Sequence, residues 1–109
     1  MGEIEEIKRE ILKFRDDRHW KKYHTGKDLA ICLNIETSEL LENFLWKKES
    51  EVDIERIKDE LADVFYSAFL LAAKYDLDVK KITLEKLEKN KTKYPVDKAK
   101  GSNLKYDEL

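Results

Sequence analysis

Little in this chain interrupts regular structure. Its 109 residues contain three glycines and one proline, so long helices joined by short connections are the natural reading. A single cysteine, Cys32, excludes an intramolecular disulfide and fits a reducing, cytoplasmic setting. It lies in an apolar stretch and reads as a small core residue. Charge of one sign is also missing. Charged residues make up 42% of the chain, yet the formal net charge is only −2, which argues against a nucleic-acid binder held by a basic surface. No apolar run approaches the ~20 residues of a membrane span. The acidic Met1-Gly2-Glu3 start does not read as a signal peptide.

What is present is hydrophobic periodicity of helical pitch. One helix is expected over about Glu3 to His19, with Ile4, Ile7, Ile11 and Phe14 at 3-4-3 spacing. A connection from Trp20 to Gly26 leads to a second helix over Lys27 to Trp46. After Lys47-Lys48-Glu49-Ser50-Glu51, a third helix runs from Val52 to Tyr75 and a fourth from Val79 to Lys93. Asp78 is placed to cap the fourth, and Pro95 marks its end. The expected fold is all-α, a four-helix bundle-type protomer spanning residues 1–95. A tail over residues 96–109 should be extended or partly disordered. A lone core of this size is modest and helices two and three are richly apolar, so a homodimer or homotetramer is expected to complete the bundle.

Four acids sit where apolar residues are expected. Glu36 and Glu39 interrupt the run from Ile31 to Leu41, and Glu60 and Asp63 interrupt the run that continues from Val64 to Ala73. Each pair is spaced i, i+3, which places two carboxylates on one helix face. On a helical wheel Glu36 falls inside the stripe of Leu29, Leu33, Leu40 and Phe44, with Glu39 and Asn43 at its edge. Glu60, Asp63 and Ser67 form the matching seam on helix three. Burying unpaired carboxylates is costly. Facing seams therefore imply a cation between them, as in bundle metal sites. Neither histidine follows a Glu by three residues, so the helical di-iron motif is absent, and an all-carboxylate site disfavours zinc and iron. Hard oxygen donors suit Mg2+, which commonly binds phosphates as well.

Other groups fit a phosphorylated, base-bearing ligand. Trp20 and His24 lie in the connection before helix two and Trp46 at its expected end, where aromatic rings can stack on a base. Lys27 opens helix two, and a lysine at a helix N-terminus favours phosphate. Lys86 and Asn90 are i, i+4 on helix four. A rival reading keeps the same apolar faces for a non-enzymatic helical oligomerisation or partner-binding module. In that case the four acids pair with lysines or arginines and no metal binds.

The pattern Glu36-Thr37-Ser38-Glu39, 20 residues, then Glu60-Leu61-Ala62-Asp63 resembles the MazG family of nucleoside triphosphate pyrophosphohydrolases, whose motif reads E-E-x-x-E, a spacer, then E-x-x-D. Trp20 to Thr25, Leu45-Trp46-Lys47, and Lys86 to Asn90 through Lys93-Tyr94-Pro95-Val96 are similar to its small deoxycytidine triphosphate pyrophosphatase branch. The resemblance covers roughly residues 5 to 100. It implies Mg2+ held by Glu36, Glu39, Glu60 and Asp63, which also form the catalytic set. It implies a base pocket of Trp20, His24 and Trp46, and places Lys86 and Asn90 near the phosphates or sugar. The implied substrate is a (deoxy)nucleoside triphosphate, with dCTP or an analogue a candidate, and the implied role is clearing unwanted nucleotides. Two positions depart from the pattern: Ile35 stands where the motif has its first Glu, and Ser67 stands where a tyrosine is expected, with Tyr66 one residue earlier.

Overall fold

A computed structural model describes residues 2–109. It is all-α: α1 (Glu3–Asp17), α2 (Gly26–Glu42), α3 (Ile54–Lys74), α4 (Val79–Lys93) and a one-turn α5 (Val96–Ala99), with short 3₁₀ turns at Lys21–Tyr23, Glu49–Glu51 and Tyr106–Glu108. The chain divides into two compact units, residues up to Leu77 and Asp78–Leu109. No described helix is long and apolar enough to cross a membrane.

In the first unit α3 packs mainly against α2 and also against α1. Acids in the first turn of α1, Glu3, Glu5 and Glu6, suit the positive end of its dipole. The helix ends without glycine. His19 takes a left-handed conformation (φ 56°), and the backbone N–H groups of His19 and Trp20 donate to Asp16 O and Arg15 O, closing a Schellman motif. The end of α3 repeats the device. Asp76 has φ 52°, and Asp76 and Leu77 donate to Ala73 O and Ala72 O. The Thr25 hydroxyl caps α2 by accepting from Asp28 N at 3.1 Å, and Asp53 caps α3 by accepting from Glu55 N at 3.1 Å. At Gly26 a Cβ would fall within 2.7 Å of Tyr75 Cζ, so a larger residue there would displace the Tyr75 ring. That contact joins the start of α2 to the end of α3.

Three expectations need correction. The second helix does not reach Trp46 but stops at Glu42. There the Asn43 side-chain amide turns back onto Glu39 O at 3.0 Å, and Trp46 lies in the following turn with φ 62°. Cys32 is exposed rather than buried. It shares with Ile31 and Ile35 a face of α2 that the single chain leaves open. The tail is not simply extended. Within the second unit, Asp78 Oδ1 caps α4 by accepting from Lys81 N at 2.9 Å. Beyond Pro95 the chain forms α5 and then sets Tyr106 edge-on to Tyr94, ring centroids 6.1 Å apart.

Candidate active site

The four acids gather on the face where α2 meets α3. One carboxylate oxygen each from Glu36, Glu60 and Asp63 lies within 4.8 Å of the others. Glu39 adjoins both Glu36 and Glu60 closely enough to raise their pKa values. Glu36 meets Asp63 and Glu60, while Glu39 and Glu42 meet Glu60. Rising numbers on α2 therefore oppose falling numbers on α3, so the two helices run antiparallel, as the Gly26–Tyr75 contact requires. Burial pushes the Glu36 and Glu60 carboxyls above the ordinary carboxylate range, and the negative charges of Glu39 and Asp63 push them further.

The cluster lacks protein donors. Glu36 Oε2 and Glu60 Oε2 are buried without a hydrogen-bond partner. The ion pairs among the described residues are Lys13–Asp17, Arg15–Asp16, Arg56–Asp53, Lys58–Glu55 and Lys91–Glu88, and none includes the four acids. Orphaned buried oxygens in an all-carboxylate set are what a hard divalent cation would satisfy. Glu42, absent from the sequence-derived set, also bears electrostatically on Glu60. Its spacing of three beyond Glu39 is the signal that marks it.

Beside the acids stands an aromatic cluster. Phe14 on α1 meets Trp20 and Tyr66 edge-on, each at 5.8 Å between centroids, and the Arg18 guanidinium lies 3.7 Å over the Phe14 ring. Tyr66 is three residues from Asp63 on α3. Burial raises its hydroxyl pKa, an effect that Arg18 and Arg15 oppose and Asp63 adds to. Trp20 is thus linked through Phe14 to the neighbourhood of the acids. Sequence reasoning did not single out Tyr66 and Arg18 for this cluster. The i, i+4 spacing of Phe14 and Arg18 was the available signal.

The remaining candidates are distributed more widely. His24 is half-buried with Nδ1 unpartnered. Burial, then the charges of Arg15 and Lys74, depress its pKa. Lys27 is exposed in the first turn of α2. Trp46 is 99% exposed. Lys86 is exposed and Asn90 half-buried on α4, in the second unit.

Comparison with known proteins agrees with this geometry. Residues 31–109 match the model of the MazG-like family. Human dCTP pyrophosphatase 1 is 32% identical over 114 residues, an alignment covering 97% of this chain and 67% of the human protein. The rat dCTP pyrophosphatase 1 is 31% identical with the same coverage. The crystal structure of a pyrophosphatase from Archaeoglobus fulgidus superposes with a TM-score of 0.78 at 35% identity, covering 87% of this chain and 94% of that one. The chain belongs to the MazG-like family.

Proposed function

We propose that this protein hydrolyses (deoxy)nucleoside triphosphates to a nucleoside monophosphate and pyrophosphate, clearing unwanted nucleotides in the cytoplasm. The observation that carries the reading is the pair of orphaned, buried carboxylate oxygens on Glu36 and Glu60, facing each other across α2 and α3 with Asp63 beside them. Glu36, Glu39, Glu60 and Asp63 would hold Mg2+, the divalent ion best matched to a donor set of oxygens alone that also meets phosphate. When bound, the cation neutralises triphosphate charge and polarises a phosphoryl group. The carboxylates orient the attacking water and accept its proton while the α–β phosphoanhydride breaks and pyrophosphate leaves. Positioning and charge stabilisation account for the chemistry. The rival reading, a helical module with its acids neutralised by lysine and arginine, lacks support because those ion pairs are absent among the described residues.

The base is assigned to Trp20, His24 and Trp46. Trp20 sits at the edge of the Phe14–Tyr66 cluster near Asp63. Trp46 holds a left-handed backbone that a bulky residue seldom adopts, and its exposed ring is available to stack on a base. The names of the relatives make dCTP the first substrate to try. Lys27, Lys86 and Asn90 remain candidates for phosphate or sugar. The apolar residues left open on α2 and α3, among them Ile31, Ile35, Leu41 and Phe65, are best covered in a homodimer or homotetramer. A panel of nucleoside triphosphates assayed for pyrophosphate release, with Mg2+ and with chelator, tests the reading. Release that is absent for every triphosphate, or equal in chelator, overturns it.

A further inference from the structure

The helices do not all end alike. α1 and α3 close on left-handed residues, His19 and Asp76, around which N–H groups return to the last carbonyls. α4 has no such closure. Among the described residues one backbone bond returns to its end, from Tyr94 N to Asn90 O at 2.8 Å. Pro95 follows, with no N–H to offer. α4 is also exposed along nearly its whole length. A helix end short of both caps and burial frays unless something else ties it down.

The segment that follows supplies the tie. Past α5 the backbone turns at Gly101, whose φ of 76° is the left-handed region that suits glycine. Ser102 N donates to Ala99 O at 3.0 Å, and Leu104 N donates to the Ser102 hydroxyl at 3.2 Å, which pins the turn. The chain then comes back to the end of α4. There Tyr106 stands edge-on to Tyr94, ring centroids 6.1 Å apart, and the Lys93 ammonium lies 4.9 Å from the Tyr106 ring centroid. Thr92, Lys93, Pro95, Lys98, Tyr106 and Leu109 line a cavity of about 370 Å3 between segment and helix. The segment is therefore held at two points, the Gly101 turn and the Tyr106 ring, and packs loosely between them.

We propose that residues 101–109 form a hinged strap, latched by Tyr106, whose closing positions Asn90 for substrate. This rests on the proposed placing of Lys86 and Asn90 at the phosphates or sugar. Lys86, Asn90 and Lys93 follow at i, i+4 and i+7, one stripe of α4, so the latch grips that stripe one turn past Asn90. Tyr94, the other half of the latch, is the residue whose N–H holds the Asn90 carbonyl. An edge-on ring pair and an exposed cation–π contact are individually weak, so the strap both opens and closes. Latched, the last turn stays helical and Asn90 keeps its place. Unlatched, the turn frays and only part of the population presents Asn90, which weakens binding in proportion. Tyr106 acts through Asn90 and is a positioning residue.

The test uses the full chain and reads the latch and the reaction separately. Tyr106→Ala removes both ring contacts and should lower the latched-to-open ratio at least about fivefold. Tyr106→Phe keeps them, because neither uses the hydroxyl. Gly101→Ala leaves the ring in place and strains the turn instead. Tryptic cleavage follows the open population where opening and closing outpace cleavage. Cleavage after Lys100 should be about fivefold or more faster in Y106A, and cleavage after Lys105 faster in G101A. Cleavage after Lys47, outside the strap, should be the same in all. In pyrophosphate release, KM should rise at least about twofold in Y106A and G101A with kcat kept, and Y106F should have the parental value. The N90A/Y106A double variant should have the KM of N90A alone, because the latch acts through that residue. Equal tryptic rates in the parent and Y106A overturn the latch. A parental or lowered KM in Y106A, or fully additive losses in the double variant, overturns the positioning role, while turnover by the parent leaves the proposed reaction standing. A parent that releases no pyrophosphate from any triphosphate overturns both.

Discussion

Glu36 on α2 and Glu60 on α3 face each other across the helix pair, and each buries one carboxylate oxygen that no protein donor satisfies. Both carboxyls hold their protons above the ordinary range, through burial first and then the neighbouring negative charges. A raised folded-state pKa means that protonation stabilises the fold. That contribution is fully present below the unfolded value of 4.5 and is lost as pH rises through the raised values. Metal-free protein should therefore lose thermal stability on going from mildly acidic to neutral pH, as far as this cluster is concerned. Mg2+ at neutral pH should reverse the loss, adding about 2.7 kcal/mol at a hundredfold excess over its Kd. Thermal melts across pH, with and without the ion, check this; a melting temperature insensitive to Mg2+ at neutral pH would count against the cation site.

Glu39→Ala and Asp63→Ala should lower kcat by about 10²–10³-fold or more, the size of losing one preorganised electrostatic group. Helicity by circular dichroism should be unchanged. Each substitution also removes a negative charge from beside Glu36 and Glu60, so the metal-free variants should melt no lower than the parent. Near-normal turnover of either variant at saturating Mg2+ would remove that residue from the site.

His24 provides a separate pH signature. Burial and the adjacent Arg15 and Lys74 depress its pKa below the usual 6.5, so the folded protein resists protonating it. Stability from this group is complete above the unfolded value and declines as pH falls from there toward the folded one. Histidine signals in NMR should show His24 titrating below the usual 6.5. In His24→Gln, the stability loss between pH 7 and the depressed value should shrink. An unchanged profile would mean that the imidazole is not restrained as described.

The acid seam was legible because carboxylates inside apolar runs violate the helical pattern, and i, i+3 spacing leaves few ways to place them. The limits of α4 were legible too, since Asp78 caps one end and Pro95 closes the other. The end of α2 was not. Phe44, Leu45 and Trp46 continue an apolar helical pattern, yet the chain turns at Asn43, whose amide satisfies the last carbonyls without a glycine. Cys32 misled for a different reason: an apolar neighbourhood in sequence does not say whether the chain itself or another copy covers it. The Phe14–Tyr66 contact was hidden, because the two rings stand on separate helices and lie 52 residues apart in the chain. Tyr106 was similarly hidden, since its partner Tyr94 is 12 residues away.

His19 should be improvable. It holds a left-handed backbone at the close of α1, which costs an L-residue about 1–2 kcal/mol. Glycine removes that cost but returns about 0.4–1 kcal/mol through the freer unfolded chain. His19→Gly should therefore stabilise the protein by about 0.5–1 kcal/mol. A higher urea midpoint with unchanged slope is the expected reading; a lower midpoint would show that the imidazole makes a contribution larger than the backbone strain.

Trp46 and Trp20 separate binding from folding. The Trp46 ring is 99% exposed in the single chain, so Trp46→Ala should change the stability of the isolated chain by no more than about 0.5 kcal/mol. Trp20 meets Phe14 edge-on, and its loss should cost about 0.5–1.5 kcal/mol beyond the area uncovered. If both rings stack on the base, either substitution weakens substrate binding by about 1–3 kcal/mol, or roughly five- to a hundredfold in KM. Chemistry at the phosphates depends on the carboxylates, so Mg2+ affinity in the absence of substrate should stay as in the parent. Discrimination among bases should narrow, because the stacking slot is where one base is told from another. Steady-state kinetics over the triphosphate panel, paired with Mg2+-dependent melts, distinguish these effects. Unchanged kinetics for both variants on every triphosphate would leave Trp20 as a packing residue and Trp46 as a surface ring available for contact between subunits.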